Sequence, residues 1–138
     1  MGDHYNHAFP EVQLNKTGKV IHNIDEDYYY AFMQVLGSTK AHMFNMFAMK
    51  SEILDEYCEW LFPILFELQK RVDPKQYDSF NARYPGRIGE ILLDVWLIAR
   101  GHSYAELPVV NIEPVNWLNK GMTFLRAKYA GHKYTKSF

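Results

Sequence analysis

The sequence predicts an α/β domain, predominantly helical with a few short strands, and three observations lead there. Apolar residues recur at helical spacing through residues 51–72 and again through 85–101. The run Met43-Phe44-Asn45-Met46-Phe47-Ala48-Met49 alternates two faces that are both largely apolar, so as a strand it would be covered on both sides. Val109-Val110-Asn111-Ile112 is a second, shorter strand candidate. A chain of 138 residues is the size of one domain, enough to bury about two thirds of the surface its unfolded form exposes.

Composition narrows the class. A 48% hydrophobic content with 10 Tyr, 9 Phe and 3 Trp excludes a disordered chain, and a formal charge of −1 gives no electrostatic reason to expect nucleic acid. The single cysteine, Cys58, leaves no internal disulfide and no metal-binding pair, so a reducing cytoplasm is the natural setting. Cys58 falls on an apolar helical stripe and is read as core. No run approaches the ~18 apolar residues of a membrane span, and MGDHYNHAFP lacks the basic start and apolar centre of a signal peptide. Gly2 is no myristoylation site, because Asn6 stands where that motif needs Ser or Thr. A soluble chain that is not exported is expected.

Along the chain, residues 1–23 mix His, Asn, Pro, Gly and Lys, and Asn15-Lys16-Thr17-Gly18-Lys19 reads as a turn in an irregular segment. His4 and His7 stand three apart, but with only Asp3 and Glu11 nearby they are read as tail imidazoles without a metal. From Asp25 a helix is predicted: Asp25, Glu26 and Asp27 favour its positive end, and Tyr28, Ala31, Phe32, Val35 and Leu36 form the apolar face. Gly37 and Ser38 end it. Tyr28-Tyr29-Tyr30 puts a phenol at the surface, either to stack on a sugar or simply as the rim of an amphipathic helix.

Ser51 is the predicted N-cap of a long helix whose stripe is Leu54, Cys58, Leu61, Leu65, Leu68 and Val72. Pro63 lies opposite, among Glu52, Glu56, Glu59, Glu67 and Lys70, where water can satisfy the carbonyl it frees. Asp73-Pro74 stops this helix and a loop runs to Arg83. Pro85 suits a first helical turn and Gly101 the position past its end, with Ile88, Ile91, Leu92, Val95, Ile98 and Ala99 as the buried stripe. Glu90 and Asp94 lie off that stripe, and Arg87 is within reach of Glu90 for a surface ion pair. A last helix is predicted over 118–129, followed by a terminus that interleaves Lys and His with Tyr and Phe. There is no internal repeat and no second domain; the organisation is an irregular segment over 1–23, a domain over 24–129 and a basic, aromatic tail over 130–138.

Four blocks, HMFNMFAMK, EILDEYCEWLFPILFELQKR, ARYPGRIGEILLDVWL and PVVNIEPVNWL, resemble in order and register the C-terminal part of the bacterial polysaccharide-biosynthesis glycosyltransferases grouped as domain of unknown function 4422. The likeness covers residues 24 to 128. It implies a fold similar to the glycosyltransferase type A, in which an N-terminal αβα half binds the nucleotide and a C-terminal half shapes the acceptor side. This chain corresponds to the second half only.

Transfer from a nucleotide sugar needs charge neutralisation at the departing diphosphate, a hydrogen-bonding wall for the acceptor, and a carboxylate for proton or charge. His42 and Asn45, polar groups inside an apolar run, supply the wall or else tie adjacent backbone. Arg83 and Arg87 cluster at a predicted helix N-terminus that itself favours an anion. Arg83, Gly86 and Glu90 match a family block, and Glu90, just after the arginines, is the candidate catalytic carboxylate; the alternative is an Arg83–Glu90 pair that anchors the loop. Asn116 and Trp117 either approach the sugar or act as helix cap and core.

No Asp-x-Asp pair follows a strand, so no cofactor is assignable; a divalent ion, Mn or Mg, belongs only to a complete enzyme. The expected function is therefore part of a nucleotide-sugar-dependent glycosyltransferase of capsule or exopolysaccharide assembly, inactive alone. The alternative is a non-catalytic carbohydrate-binding or assembly subunit that completes a separately encoded partner. Expected partners are a nucleotide sugar, a saccharide or lipid-linked acceptor, and a second copy or the N-terminal half. Peripheral contact with the inner membrane face through residues 126–138 is a further reading.

Overall fold

The computed structural model describes residues 1–42 and 46–108, together with Trp117, Leu118, Gly121, Met122, Leu125 and Tyr129, and leaves the His4 side chain aside. Its helices are α1 (Gly2–Ala8), α2 (Glu11–Ile24), α3 (Glu26–Gly37), α4 (Ser51–Arg71) and α5 (Tyr84–Arg100), with single 3-10 turns at Pro74–Gln76 and Asn81–Arg83. Every regular element among the described residues is helical. The domain is all-α, and the α/β expectation is wrong.

The strand reading of 43–49 fails for a physical reason. A strand satisfies its backbone only through a neighbouring edge, and the described residues 46–50 have no ladder partner. Met46 is 63% exposed and Phe47 41% exposed, which a doubly covered strand would not allow. The segment instead drapes along the helices: the Phe47 ring meets Tyr57 edge-on with centroids 6.0 Å apart, and Met49 packs beside Tyr57 and Trp96. Met43, Phe44 and Asn45, and the strand candidate at Val109–Ile112, lie outside the described residues.

The opening segment is helical rather than irregular. Asn15 to Lys19, read as a turn, sits in the middle of α2. Those small and polar residues serve packing. The Thr17 hydroxyl donates back to the Gln13 carbonyl at 2.8 Å, and Gly18 admits α3, since a Cβ there would stand 3.1 Å from Phe32 Cε1. Leu14, Val20 and Ile21 are buried along the same helix.

α3 follows the sequence closely. The Asp25 carboxylate accepts the Asp27 N–H at 2.8 Å as its N-cap, Ala31, Phe32 and Val35 are buried, and Ser38 is the C-cap. In α4, Ser51 is the first helical residue and the cap position falls to Lys50, which offers no side-chain bond. The buried line is also turned from the predicted one. Tyr57, Ile64 and Leu68 are buried, while Leu54, Cys58, Leu61 and Leu65 are half-buried, because α4 packs on both α2 and α5. Pro63 is exposed, as expected.

α5 is the centre of the fold. Pro85 lies in its first turn, and Gly101 closes it in the left-handed region at φ 65°. Ile88, Ile91, Leu92 and Val95 are buried as predicted, but so are Leu93, Asp94 and Trp96, whereas Ile98 is 42% exposed. With α3 on one side and α4 on another, α5 has no wide polar face in its middle turns. The main core joins residues of all five helices; a second, smaller cluster gathers Tyr57, Leu93 and Trp96. No helix among the described residues is long and apolar enough to cross a membrane.

These burial patterns separate core from surface aromatics. Ile64→Ala should lower the unfolding free energy by about 2–5 kcal/mol, because Ile64 is fully buried. Phe66→Ala, at a residue 59% exposed, should change it by less than about 1 kcal/mol in the same urea titrations.

Candidate functional site

Where α3 and α5 end, the chain forms an open groove of about 1130 Å³. Its walls come from the last turn of α3, the segment 38–42 that follows it, Asp94, Leu97 and Ile98 of α5, and Tyr104 and Glu106 beyond α5. Asp3 of α1 stands at its rim.

The polar centre is His42. Its ring Nδ1 lies 2.5 Å from Asp94 Oδ1, and its backbone N–H donates to Asp94 Oδ2 at 2.9 Å. Asp94 is 8% exposed, so its charge must be met within the protein, and one residue meets both oxygens. This assigns the Nδ1 hydrogen to the bond with Asp94. Nε2 then faces outward, 3.5 Å from Glu106 Oε1, and the Tyr104 ring meets the imidazole edge-on with centroids 4.9 Å apart.

The bond to Asp94 is the main reason the His42 pKa is raised above its ordinary value; burial opposes it, and Glu106 adds to it. An imidazole held at Nδ1 by a carboxylate has a fixed ring plane and one free role at Nε2, which donates a hydrogen bond when charged and accepts a proton when neutral. Among the described residues no group of three or more His, Cys, Asp and Glu side chains is placed to hold a metal ion.

Among the described residues, His42 is the one sequence-derived candidate that lines this groove. Arg87 is committed to the scaffold. Its guanidinium lies 4.1 Å from the Phe9 ring centre and 5.0 Å from that of Phe80, and it donates to the Phe80 and Asn81 carbonyls at 3.0 and 3.2 Å. It thereby ties α1 to the turn before α5, and it makes no ion pair with Glu90. Nearby, burial pushes the Tyr5 phenol up to about 12, and its hydroxyl donates to Gln13 Oε1 at 2.8 Å.

Arg83 is exposed at the N-cap of α5, and Glu90 is half-buried in the second turn of that helix, away from the groove lining. No Arg83–Glu90 pair forms. Trp117 is helical and 69% exposed, which excludes the core reading for it. Asn45 and Asn116 lie outside the described residues.

The residue that sequence reasoning missed is Asp94. Its signal was present: ILLDVWL sets one carboxylate among apolar neighbours on every side, and such a charge needs a partner.

A family model matches residues 1–101, and its description is domain of unknown function, DUF4422. The chain belongs to this family. The match takes in α1 and α2, which the sequence likeness over 24 to 128 left out, and it ends just past α5. Comparison with curated proteins and with solved structures found no match. The family description names no activity.

Asp94→Asn removes the charge that holds the imidazolium. The His42 pKa, followed by its ring proton shifts in an NMR titration, should move down toward the ordinary value of 6.5. A raised folded-state pKa contributes stability that is complete below the unfolded value and declines as pH rises through the folded one. The parent should therefore lose stability across that window more steeply than Asp94→Asn.

Proposed function

We propose that this DUF4422 domain is part of a nucleotide-sugar-dependent glycosyltransferase of capsule or exopolysaccharide assembly, and that its groove receives the saccharide acceptor. The observation that carries this reading is the His42–Asp94 pair at the wall of an open groove, with the Tyr104 ring beside it. Family likeness in the four sequence blocks adds support from an independent direction.

In this reading Asp94 sets the imidazole by its Nδ1, and Nε2 meets an acceptor hydroxyl. When neutral, that nitrogen takes the hydroxyl proton as the acceptor oxygen bonds to the donor's anomeric carbon and the bond from that carbon to the diphosphate breaks, the nucleoside diphosphate leaving with the electron pair; when charged, it holds a sugar oxygen in place. Tyr104, 58% exposed, offers an apolar ring face for a pyranose. The Ser38 and Thr39 hydroxyls, which also line the groove, can hydrogen-bond further sugar hydroxyls. Supply of the activated donor falls to a nucleotide-binding partner, so the chain alone is expected to be inert toward a nucleotide sugar.

A second reading, a non-catalytic carbohydrate-binding subunit, is favoured by one detail. Glu106 already sits at Nε2, and an imidazole engaged on both sides binds hydroxyls better than it moves protons.

Titration with glucose, galactose, N-acetylglucosamine and their oligosaccharides, followed by NMR, tests what both readings share. At least one series should shift the His42 and Tyr104 signals saturably, and His42→Ala should weaken that binding about tenfold or more. Saccharides that leave the groove signals unmoved, or bind His42→Ala as tightly as the parent, would contradict it.

A further inference from the structure

Along one line of α4, negative charge gives way to apolar surface and then to positive charge. Glu52, Asp55, Glu59, Phe62, Phe66 and Lys70 follow one another at spacings of three and four, which stacks them on a single helical face. All of them are exposed. Phe62 and Phe66 are 47% and 59% accessible, and their rings stack on each other with centroids 6.0 Å apart and planes inclined by 21°. Pro63, beside them, is exposed as well. The buried residues of α4, Tyr57, Ile64 and Leu68, lie on the opposite face, so this line has no task in the core.

The order of these residues selects what can cover them. An anionic headgroup layer would meet Glu52, Asp55 and Glu59 and be repelled. A second α4 running antiparallel presents the complement of the line at every level. With a twofold axis between Phe62 and Phe66, each Phe62 lies opposite the partner's Phe66, and Glu59 comes level with the partner's Lys70 to within one residue's rise of about 1.5 Å. The two macrodipoles then oppose each other, which favours this direction over a parallel one. Lys70 is able to answer: its ammonium sits 3.4 Å from Glu67, but Arg71 already holds that carboxylate at 2.9 Å, and the Lys70 side chain is 75% exposed. Turning to the partner's Glu59 leaves Glu67 still paired.

We infer that α4 pairs antiparallel with α4 of a second copy of this chain, through Phe62 and Phe66 at the centre and Glu59 and Lys70 at the ends. The phenylalanines supply the apolar burial, and the charge pairs set the direction. Two helices crossing once make a small interface, so the pairing is reversible and depends on concentration. No residue of α4 lines the His42 groove, and the pairing stands whether or not that groove binds a saccharide.

Sedimentation equilibrium of the full chain over micromolar to millimolar concentrations tests it. The weight-average mass should rise from the monomer value toward twice that value. Phe62→Asp together with Phe66→Asp should keep the chain monomeric throughout, while circular dichroism and the melting midpoint in dilute solution stay as in the parent. Glu59→Lys alone and Lys70→Glu alone each set like charges against one another across the axis and should weaken dimerisation about tenfold or more. The chain carrying both should regain the parent's affinity, because each copy again meets its complement. A parent that stays monomeric up to millimolar concentration would overturn the inference. So would dimers that Phe62→Asp with Phe66→Asp leaves intact, or a doubly swapped chain that pairs no more tightly than the single variants.

Discussion

A carboxylate on the most buried helix of a small domain has to be neutralised, and the way Asp94 is neutralised shapes everything around the groove. α5 is packed on two sides, so Asp94 cannot reach water freely. Its partner comes from 52 residues earlier in the chain, where the segment after α3 turns so that the His42 backbone and ring both face Asp94. One pair of hydrogen bonds therefore fixes the path of a stretch without regular structure. It also holds an imidazole at a groove wall with its Nε2 turned toward Glu106. Function and folding draw on the same contact.

Helix packing explains why the groove is where it is. α3 and α5 make the most extensive contact in the fold and end near one another. The chain leaves both ends in irregular segments, 38–42 and 102–106, which meet where His42 contacts Tyr104 and Glu106 and which carry most of the groove's polar lining. Near the start of α5, the half-buried Arg87 guanidinium between Phe9 and Phe80 closes the bundle with two hydrogen bonds to carbonyls. A cation so engaged is lost to ligand binding. Its proximity in sequence to Arg83 and Glu90 says little about their proximity in function.

How much of this could be read from the sequence depended on periodicity and its length. α3, α4 and α5 were legible because apolar spacing repeats over three or more turns and because Asp25, Pro85 and Gly101 punctuate it. α2 was not, since Thr17 and Gly18 look like turn residues when Thr17 bonds back to the Gln13 carbonyl and Gly18 lets Phe32 approach. The apolar alternation at 43–49 suggested a strand, but seven residues of pattern cannot supply the second edge a strand requires. His42 was recognisable as a polar group in need of a partner. Asp94 was passed over because helical spacing put it off the main stripe, and only the two-sided packing of α5 turned that position inward.

The most direct measurement is a double-mutant cycle on His42→Ala and Asp94→Ala, with unfolding free energies read at a pH below 6.5 and again in the alkaline range. If the pair organises the groove end of the fold, the two substitutions should be non-additive by on the order of 1 kcal/mol or more at low pH, and the coupling should shrink as His42 loses its proton. Additive effects at both pH values would mean that Asp94 and His42 are neighbours without being partners, and the account of the groove built on them would be wrong.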